Sequence, residues 1–298
     1  MLIGFSFISI LVAAEPPKVS VQKLSDSVYM LTGKGGNIGF DVGVDGILVI
    51  DDQFDDMAKP IMAAIRKISN QPIRIVLNTH WHGDHTGGNI KMEKQGAVII
   101  AQENVRKRLS RDEFMPFFNR HVKAKPRAAW PIVTFLQSIT LHLNNDTMRV
   151  NHVEHAHTDG DVFIHFKEDN IIHAGDIYFS GRFPFIDVDS GGSIDGMIQG
   201  VKEILALSND KTQIIPGHGK LSNKKELQKY YKMLVNVRNI LHSYAKQGAS
   251  LKEVLAANPL KEINKVWASS FIDANKLTKL IYPKMIGKKS AIHQHSHH

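Results

Sequence analysis

Residues 78–89 read NTHWHGDHTGGN, and this stretch decides how the rest of the chain is interpreted. It places three histidines and an aspartate within six positions. An apolar run, IRIVLN at 73–78, leads into it and is typical of a buried β-strand. Imidazole and carboxylate groups gathered at the end of a strand indicate a metal site, because both are common ligands of zinc and related ions.

The spacing within the stretch predicts two groups of ligands. His80 and His82 are two residues apart, so an extended backbone turns both rings to the same side. Gly83 then allows a sharp turn, after which Asp84 and His85 can face a second point nearby. Centres with two metals hold them about 3.5–4 Å apart, so these four residues supply about half of such a site.

Further candidate ligands occur in loops that adjoin predicted strands, where a rigid scaffold presents functional groups. HAHTDGD places His157 in a Thr- and Gly-containing turn before a strand. IIHAGD places Asp176 just after a strand, and IIPGHGK places His218 after another. Spacing alone does not separate His157 from His155, two residues earlier.

Composition bounds the class of protein. The chain has 298 residues, 43% of them hydrophobic, which suits one large domain with a small appendage. Cysteine is absent, so neither disulfides nor thiolate ligands are available. The N-terminal run MLIGFSFISILVAA is predicted to be an export signal cut near Ala14, which implies a periplasmic or secreted location. It has no Lys or Arg before it, and the alternative is a buried first strand.

The charge is unevenly distributed. The formal net charge is +8, but residues 220–298 hold 15 Lys and Arg against 4 Asp and Glu, and the rest holds 22 against 25. Lysines on solvated helix faces explain this more simply than a nucleic-acid surface. We therefore expect a small-molecule substrate, no nucleic-acid partner, and at most weak contact of the basic segment with an anionic membrane. The oligomeric state is left open.

Hydrophobic patterning predicts strands and then helices, twice over, which favours two packed sheets with helices outside. Residues 103–131 are predicted to be helical and charged at first and then interrupted by prolines. Helices are expected at 57–68, 89–95 and 193–207, and the chain turns helical from Asn223 onward. Strands are expected at 28–33, 37–51, 73–78, 97–101, 139–143, 147–153, 162–166, 170–173 and 213–216.

In this order, the motifs THWHGDH, AHTDGD, AGD and PGHG resemble those of the metallo-β-lactamase superfamily. The resemblance implies an α+β fold, an αββα sandwich of two mixed β-sheets flanked by helices, with a binuclear metal site at one edge. The implied divisions are a signal peptide at 1–14, a catalytic domain at 15–222, a helical extension at 223–287 and a disordered His-rich tail at 288–298.

The same resemblance implies a role for each candidate residue. The first metal would be held by His80, His82 and His157, and the second by Asp84, His85 and His218. Asp176 would bridge the two, and Asp84 would also act in catalysis by orienting the attacking water. Two zinc ions are expected, although iron and manganese also suit these ligands.

Other residues are assigned supporting roles. Asp51 resembles an aspartate that orients a ligand histidine, the alternative being an ordinary residue of a strand-ending turn. Thr79 and Asp161 are expected to help in the same way. Trp81 and Arg182 are candidates for substrate binding, and Ser193 is expected to cap a helix.

The implied function is a binuclear zinc-dependent hydrolase that acts on a cyclic amide or ester, with β-lactam hydrolysis as the first choice. An aspartate at 176, where the best-known zinc β-lactamases have cysteine, also resembles glyoxalase II and lactonases, so a thioesterase or lactonase is an alternative. An iron-binding redox protein on the same fold is a third reading. The sequence shows no long inserted arm of the kind that RNA-processing nucleases use.

Overall fold

The computed structural model describes residues 18–292, and side chains as far as Gly287. The predicted signal peptide therefore lies outside the described residues. Within them, two β-sheets pack face to face and helices cover the outer faces. The strands, in chain order, are β1 (Ser20–Lys23), β2 (Val28–Thr32), β3 (Ile38–Gly43), β4 (Gly46–Ile50), β5 (Ile73–Asn78), β6 (Val98–Gln102), β7 (Glu113–Met115), β8 (Arg120–Val122), β9 (Val133–Phe135), β10 (Ser138–Leu143), β11 (Asp146–His152), β12 (Val162–Phe166), β13 (Ile171–His173), β14 (Gln213–Ile215) and β15 (Ser222–Asn223).

Both sheets are mixed. In the described range, the first has the strand order β1-β2-β3-β4-β5-β6-β9 and the second β10-β11-β12-β13-β14-β15. Strands β4, β5, β6 and β9 run parallel to one another, as do β13 and β14, while the other neighbours are antiparallel. The predicted αββα sandwich is confirmed.

The helices begin and end close to the predicted positions. Ser193 caps α5 by accepting the Gly196 N–H at 3.0 Å, and Ser250 forms a full capping box with Glu253. None of the helices in residues 18–292 is long and apolar enough to cross a membrane. The helices are α1 (Ala58–Arg66), α2 (Gly83–Thr86), α3 (Asn89–Glu93), α4 (Glu103–Leu109), α5 (Ile194–Leu207), α6 (Lys224–Lys246), α7 (Leu251–Ala257), α8 (Lys261–Trp267) and α9 (Ala274–Ile292).

The core between the sheets is built from side chains of their facing surfaces. Leu48, Leu77, Ile164 and Phe166 are all buried there. Each such side chain contributes about 1.5–3 kcal/mol by leaving water. The whole of β4, GILVI, is buried, as expected for an inner strand covered on both faces. Helix α1 covers the first sheet, while α5, α6 and α9 cover the second.

Residues 103–131 differ from the prediction. Helix α4 ends at Leu109, and the chain then forms a separate two-stranded hairpin, β7–β8. Pro116 lies between its strands, and Asn119 adopts the left-handed conformation, with φ of 45°. Proline cannot continue a helix and asparagine tolerates positive φ, so a turn forms after the predicted helical start; the two strands beside that turn were not predicted.

The C-terminal extension is part of the same core as the second sheet. Leu234 of α6 and Ile281 of α9 are buried in one cluster with Ile204 of α5 and Ile172 of β13. Gly248, with φ of 79°, follows the end of α6 and can adopt this left-handed conformation because it has no Cβ. Helix α9 continues to Ile292, and residues 293–298, the end of the predicted tail, lie outside the described range.

Candidate metal centre

The seven predicted ligands converge at one edge of the sandwich, where loops leave strands of both sheets. A backbone hydrogen bond joins the sheets here, since the Val162 N–H donates to the Thr79 carbonyl at 2.9 Å. The loops are thus held by well-packed strands, which fixes the positions of their side chains. The ligands brought together are His80, His82, Asp84, His85, His157, Asp176 and His218.

Three buried histidines form the first group. His82 Nδ1 lies 3.2 Å from His80 Nε2 and 2.9 Å from His157 Nε2. A tetrahedral zinc ion with Zn–N bonds of about 2.0–2.1 Å would separate its ligand nitrogens by about 3.3–3.4 Å. The three nitrogens are therefore close to the spacing that one such ion requires. His155 is exposed and faces the Gly191 carbonyl instead.

Two histidines and a carboxylate form the second group. Asp84 Oδ2 lies 3.5 Å from His85 Nε2 and 3.3 Å from His218 Nε2. The short helix α2 carries Asp84 and His85, while His218 follows β14 in the turn PGHG. Asn37 holds that turn from the other sheet by donating its Nδ2 hydrogens to the carbonyls of Pro216 (2.8 Å) and Gly219 (2.9 Å).

Asp176 lies between the two groups. Its Oδ2 is 3.4 Å from His157 Nε2 and 3.5 Å from His218 Nε2, and its Oδ1 is 3.3 Å from His85 Nε2. One carboxylate therefore reaches both sets of histidines, as a bridging ligand must. Gly217 makes room for it, because a Cβ there would lie 1.9 Å from Asp176 Oδ1.

Two buried polar atoms support the presence of a metal. Neither His85 Nε2 nor Asp176 Oδ1 makes a hydrogen bond of normal geometry, although the two atoms face each other. An unpartnered buried polar atom costs about 1–3 kcal/mol. A cation between these atoms would remove that cost, so the residues present fit a metal centre.

The two groups differ electrostatically. Burial lowers the pKa of His157 to about 4 and that of His80 well below its usual value, which keeps both rings neutral, the form that binds metal. Burial also acts on His85 and His218, but the neighbouring carboxylates, Asp176 foremost, outweigh it. They raise the pKa of His218 to about 9 and that of His85 well above its usual value. In the second group a metal must displace protons.

Asp51 orients His85. Its carboxylate is fully buried, accepts both the N–H and the Oγ1 hydrogen of Thr79 at 2.7 Å, and lies 2.7 Å from His85 Nδ1. This contact turns His85 Nε2 toward the ligand cluster. Asp51 has φ of 64°, so it is also the turn residue that ends β4, and both readings of the sequence apply to it.

The other predicted residues near the ligands are placed as follows. Thr79 Oγ1 lies 3.1 Å from His80 Nδ1, so Thr79 contacts a ligand as well as Asp51. Asp161 contacts no ligand ring. It accepts hydrogen bonds from the Thr158 N–H (2.6 Å) and Oγ1 (2.8 Å), and so holds the turn that follows His157.

Sequence reasoning missed Asp187. Its Oδ2 lies 2.9 Å from His82 Nε2, the contact that leaves His82 Nδ1 facing the other two histidines. Burial alone would raise the pKa of the Asp187 carboxyl. The contact with His82 outweighs burial and holds this pKa below its usual value. The only signal was the pair of aspartates in FIDVDS, and their spacing does not distinguish Asp187 from Asp189.

A cavity of about 760 Å³ opens onto the ligands. His82, Asp84, Asp176 and His218 line it, and so do Trp81 and Arg182, the two candidates for substrate binding. Trp81 is itself nearly buried, so it both lines the cavity and anchors the loop. The further lining side chains are Phe54, Asp55, Arg108, Leu109, Met115, Phe118, Arg120, His121, Val122, Lys123, Lys125, Phe179, Phe185 and Phe271.

Comparisons with known proteins agree with this geometry. The family model of the metallo-β-lactamase superfamily matches residues 23–218. Metallo-β-lactamase type 2 of Elizabethkingia meningoseptica is 22% identical over 72% of this chain and 84% of its own. Hydroxyacylglutathione hydrolase of Pelagibacter ubique is 26% identical over 64% of this chain and 65% of its own.

Solved structures show the same fold. A metallo-β-lactamase from Pontibacter korlensis superposes with a TM-score of 0.60 at 17% identity, covering 74% of this chain and all of that one. The DIM-1 metallo-β-lactamase superposes with a TM-score of 0.59 at 17% identity, covering 74% of this chain and 98% of that one. The family match, which spans most of the chain and includes all seven candidate ligands, identifies the protein as a member of the metallo-β-lactamase superfamily and a hydrolase of that superfamily.

Proposed function

We propose that this protein is a binuclear zinc-dependent hydrolase that acts on the carbonyl group of a cyclic amide or ester, with β-lactams as the first substrates to test. The observation that carries the proposal is Asp176, whose carboxylate lies within 3.5 Å of histidines from both ligand groups. A single metal ion would not require histidine ligands on both sides of this carboxylate. Two zinc ions, together with the donor set of imidazole and carboxylate, account for all seven residues.

The residues around the centre suit a hydrolytic reaction. Metal ions bound in such a site activate water as a nucleophile and polarise the oxygen of a carbonyl group. Asp84 is partly exposed to the cavity; burial opposes its ionisation, but His85 and His218 outweigh burial and hold the pKa of its carboxyl below the usual value. Asp84 is therefore ionised and can accept a hydrogen bond from the attacking water. Phe185 and Phe179 pack against His157 and His218 and limit access of other water.

The choice of substrate follows from the named relatives and from the lining of the cavity. One relative is named as a β-lactamase and another as a hydroxyacylglutathione hydrolase, so a thioesterase or a lactonase is the second candidate. The cavity is lined by aromatic and cationic side chains, which favours a small anionic molecule over a polymer. We also propose export to the periplasm or the medium, on the basis of the apolar run at 1–14; the mass of the N-terminus of the mature protein tests this.

A substrate panel tests the proposal. Zinc-loaded protein is assayed with a chromogenic cephalosporin, a lactone, a glutathione thioester and a phosphodiester, and its metal content is measured. We expect two zinc ions per chain and turnover of the lactam or the lactone. Asp84→Ala should abolish turnover, whereas Asp55→Ala should retain it, because Asp55 lines the same cavity but pairs with Lys91 and contacts no ligand.

Two outcomes would overturn the proposal. Inertness of all four substrates would exclude hydrolysis of these classes. A single tightly bound iron per chain would instead favour the redox reading of the same ligands.

A further inference from the structure

Two partly exposed aromatic rings face each other at the mouth of the cavity. Phe118 lies between the strands of the β7–β8 hairpin, and Phe271 lies between α8 and α9 of the C-terminal extension. The rings are 38% and 46% exposed, and they stack with centroids 6.0 Å apart and an angle of 8° between planes. Exposed phenylalanines at the rim of a cavity offer an apolar surface that a ligand can cover.

An aromatic path connects this pair to the metal centre. Phe185 contacts the rings of Phe118 and Phe271 at centroid distances of 5.3 and 5.9 Å. On its other side, the Phe185 ring lies 5.7 Å from His157 and 5.9 Å from His82. If the carbonyl group of a ligand lies at the metal centre, a substituent attached to that carbonyl can therefore extend along Phe185 and reach Phe118 and Phe271.

Three of the cations that line the same cavity have no acidic partner among the described residues. In the described part of the chain, Arg120, Lys125 and Arg182 have no carboxylate within ion-pair distance, whereas Lys123 pairs with Asp112 at 2.7 Å. The Arg120 guanidinium lies over the Phe118 ring, 5.7 Å from its centroid. Unpaired cations beside an apolar surface suit a ligand that carries both a negative charge and an apolar group.

We infer that Phe118 and Phe271 are specificity-determining residues that hold an aryl or branched-alkyl group of an anionic substrate, and that Arg120, Lys125 and Arg182 bind its carboxylate. The inference deepens the proposed function, because the substrate reaches the metal centre through this cavity. Phe271 lies beyond the residues that match the family model, so part of this preference comes from the extension of this chain. The rings contact each other and Phe185 and line a cavity, which favours a small ligand over a membrane surface.

The test is direct binding, measured by isothermal titration calorimetry with zinc-loaded protein. Phenylacetylglycine carries both an aromatic ring and a carboxylate; acetylglycine lacks the ring, and the methyl ester of phenylacetylglycine lacks the charge. We expect phenylacetylglycine to bind at least tenfold more tightly than either control compound. Phe271→Ala and Phe118→Ala should each weaken its binding by roughly 5- to 10-fold and leave acetylglycine unchanged.

Matched variants distinguish direct contact with the ligand from general effects of a substitution on the protein or its charge. Val266→Ala removes an exposed apolar side chain of the same extension outside the cavity and should leave binding unchanged. Arg182→Gln should weaken the binding of phenylacetylglycine but not that of its methyl ester. Lys123→Gln should weaken the binding of phenylacetylglycine less, because Lys123 is already paired with Asp112. Equal losses in the two cation variants would indicate general attraction and would overturn the assigned role of the unpaired cations.

The remaining outcomes distinguish this inference from the proposed function. If no substrate is hydrolysed but phenylacetylglycine binds with the expected pattern, the inference stands and the proposed reaction falls. If hydrolysis occurs but Phe118→Ala and Phe271→Ala bind phenylacetylglycine as the wild type does, the inference is wrong. The inference is also wrong if the wild type does not bind phenylacetylglycine and instead binds vesicles of phosphatidylcholine and phosphatidylglycerol through the same two rings.

Discussion

Asp51→Asn isolates the contact that orients a metal ligand. The Asp51 carboxylate has three partners at 2.7 Å, which are the Thr79 N–H, the Thr79 Oγ1 and His85 Nδ1. Asparagine keeps the shape and tolerates the positive φ of 64°. It removes the negative charge and puts an NH₂ group where one carboxylate oxygen was. The His85 ring therefore loses its charged partner. If the NH₂ group faces Nδ1, the ring also loses the contact that orients it.

The expected magnitude follows from that single contact. Loss of a carboxylate that orients a metal-binding histidine lowers metal affinity by about 10- to 100-fold, or about 1.4–2.8 kcal/mol. The effect should fall on the site that contains His85, because Asp51 contacts neither His82 nor His157. The fold should survive, since one oxygen remains to accept the Thr79 N–H.

The assay is competition for zinc against a chromophoric chelator, with thermal unfolding of the metal-free protein as a check of folding. Asp52→Asn is the matched control. Asp52 is equally buried and adjacent in sequence, but its carboxylate accepts the Gly88 N–H at 2.8 Å and contacts no candidate ligand. Burial raises the pKa of the Asp52 carboxyl well above its usual value, because desolvation disfavours the ionised form.

The result that would refute this reasoning is equal zinc affinity of Asp51→Asn and the wild type. A similar loss in Asp52→Asn would also refute it, because the effect would then reflect damage to the loop and not the contact with His85.

Four further predictions concern the ligands and the fold. Gly217→Ala should lower the zinc content measured by atomic emission, because its Cβ would lie 1.9 Å from Asp176 Oδ1; Gly83→Ala, with no atom within 4 Å of its Cβ, should not. Chelation of the metal should lower the melting temperature, and free zinc at 100 times its Kd should restore about 2.7 kcal/mol of stability. Ser250→Ala should cost about 1 kcal/mol in urea unfolding through loss of the capping box, with zinc content unchanged. In the metal-free protein the pKa of His218 is raised to about 9, so its contribution to stability is present below about pH 6.5 and is lost as the pH rises through 9; denaturant melts across this range should show the loss, and those of His218→Gln should show a smaller one, because His85, whose pKa is also raised, remains.

Local patterns were sufficient to predict much of the fold and the ligand cluster. The His80 and His82 rings reach one point because their spacing is a property of extended backbone. Strands such as β4 and β5 were recognisable because an apolar run between turn residues has few other structures available. Positions after other apolar strands then gave Asp176 and His218, while the resemblance to a known family suggested the role of Asp51.

The residues that were missed act through contacts distant in sequence. Asp187 meets His82 across 105 residues, and Asn37 reaches Pro216 across 179. An aspartate or asparagine in a loop has no local pattern that reveals such a partner. The β7–β8 hairpin was missed for a related reason, since Pro116 and Asn119 ended the helical pattern without indicating what followed.

The position of Phe271 shows that the candidate metal ligands and part of the cavity lining come from different regions of the sequence. The seven candidate ligands end at His218, while the cavity receives one of its walls from a loop more than fifty residues later. If the inference about Phe271 holds, we expect substitutions in residues 268–273 to alter which molecules are accepted without changing any candidate metal ligand. Chains with the same ligands and different extensions would share a reaction and differ in what they degrade, so the extension is the segment to exchange when a new selectivity is wanted.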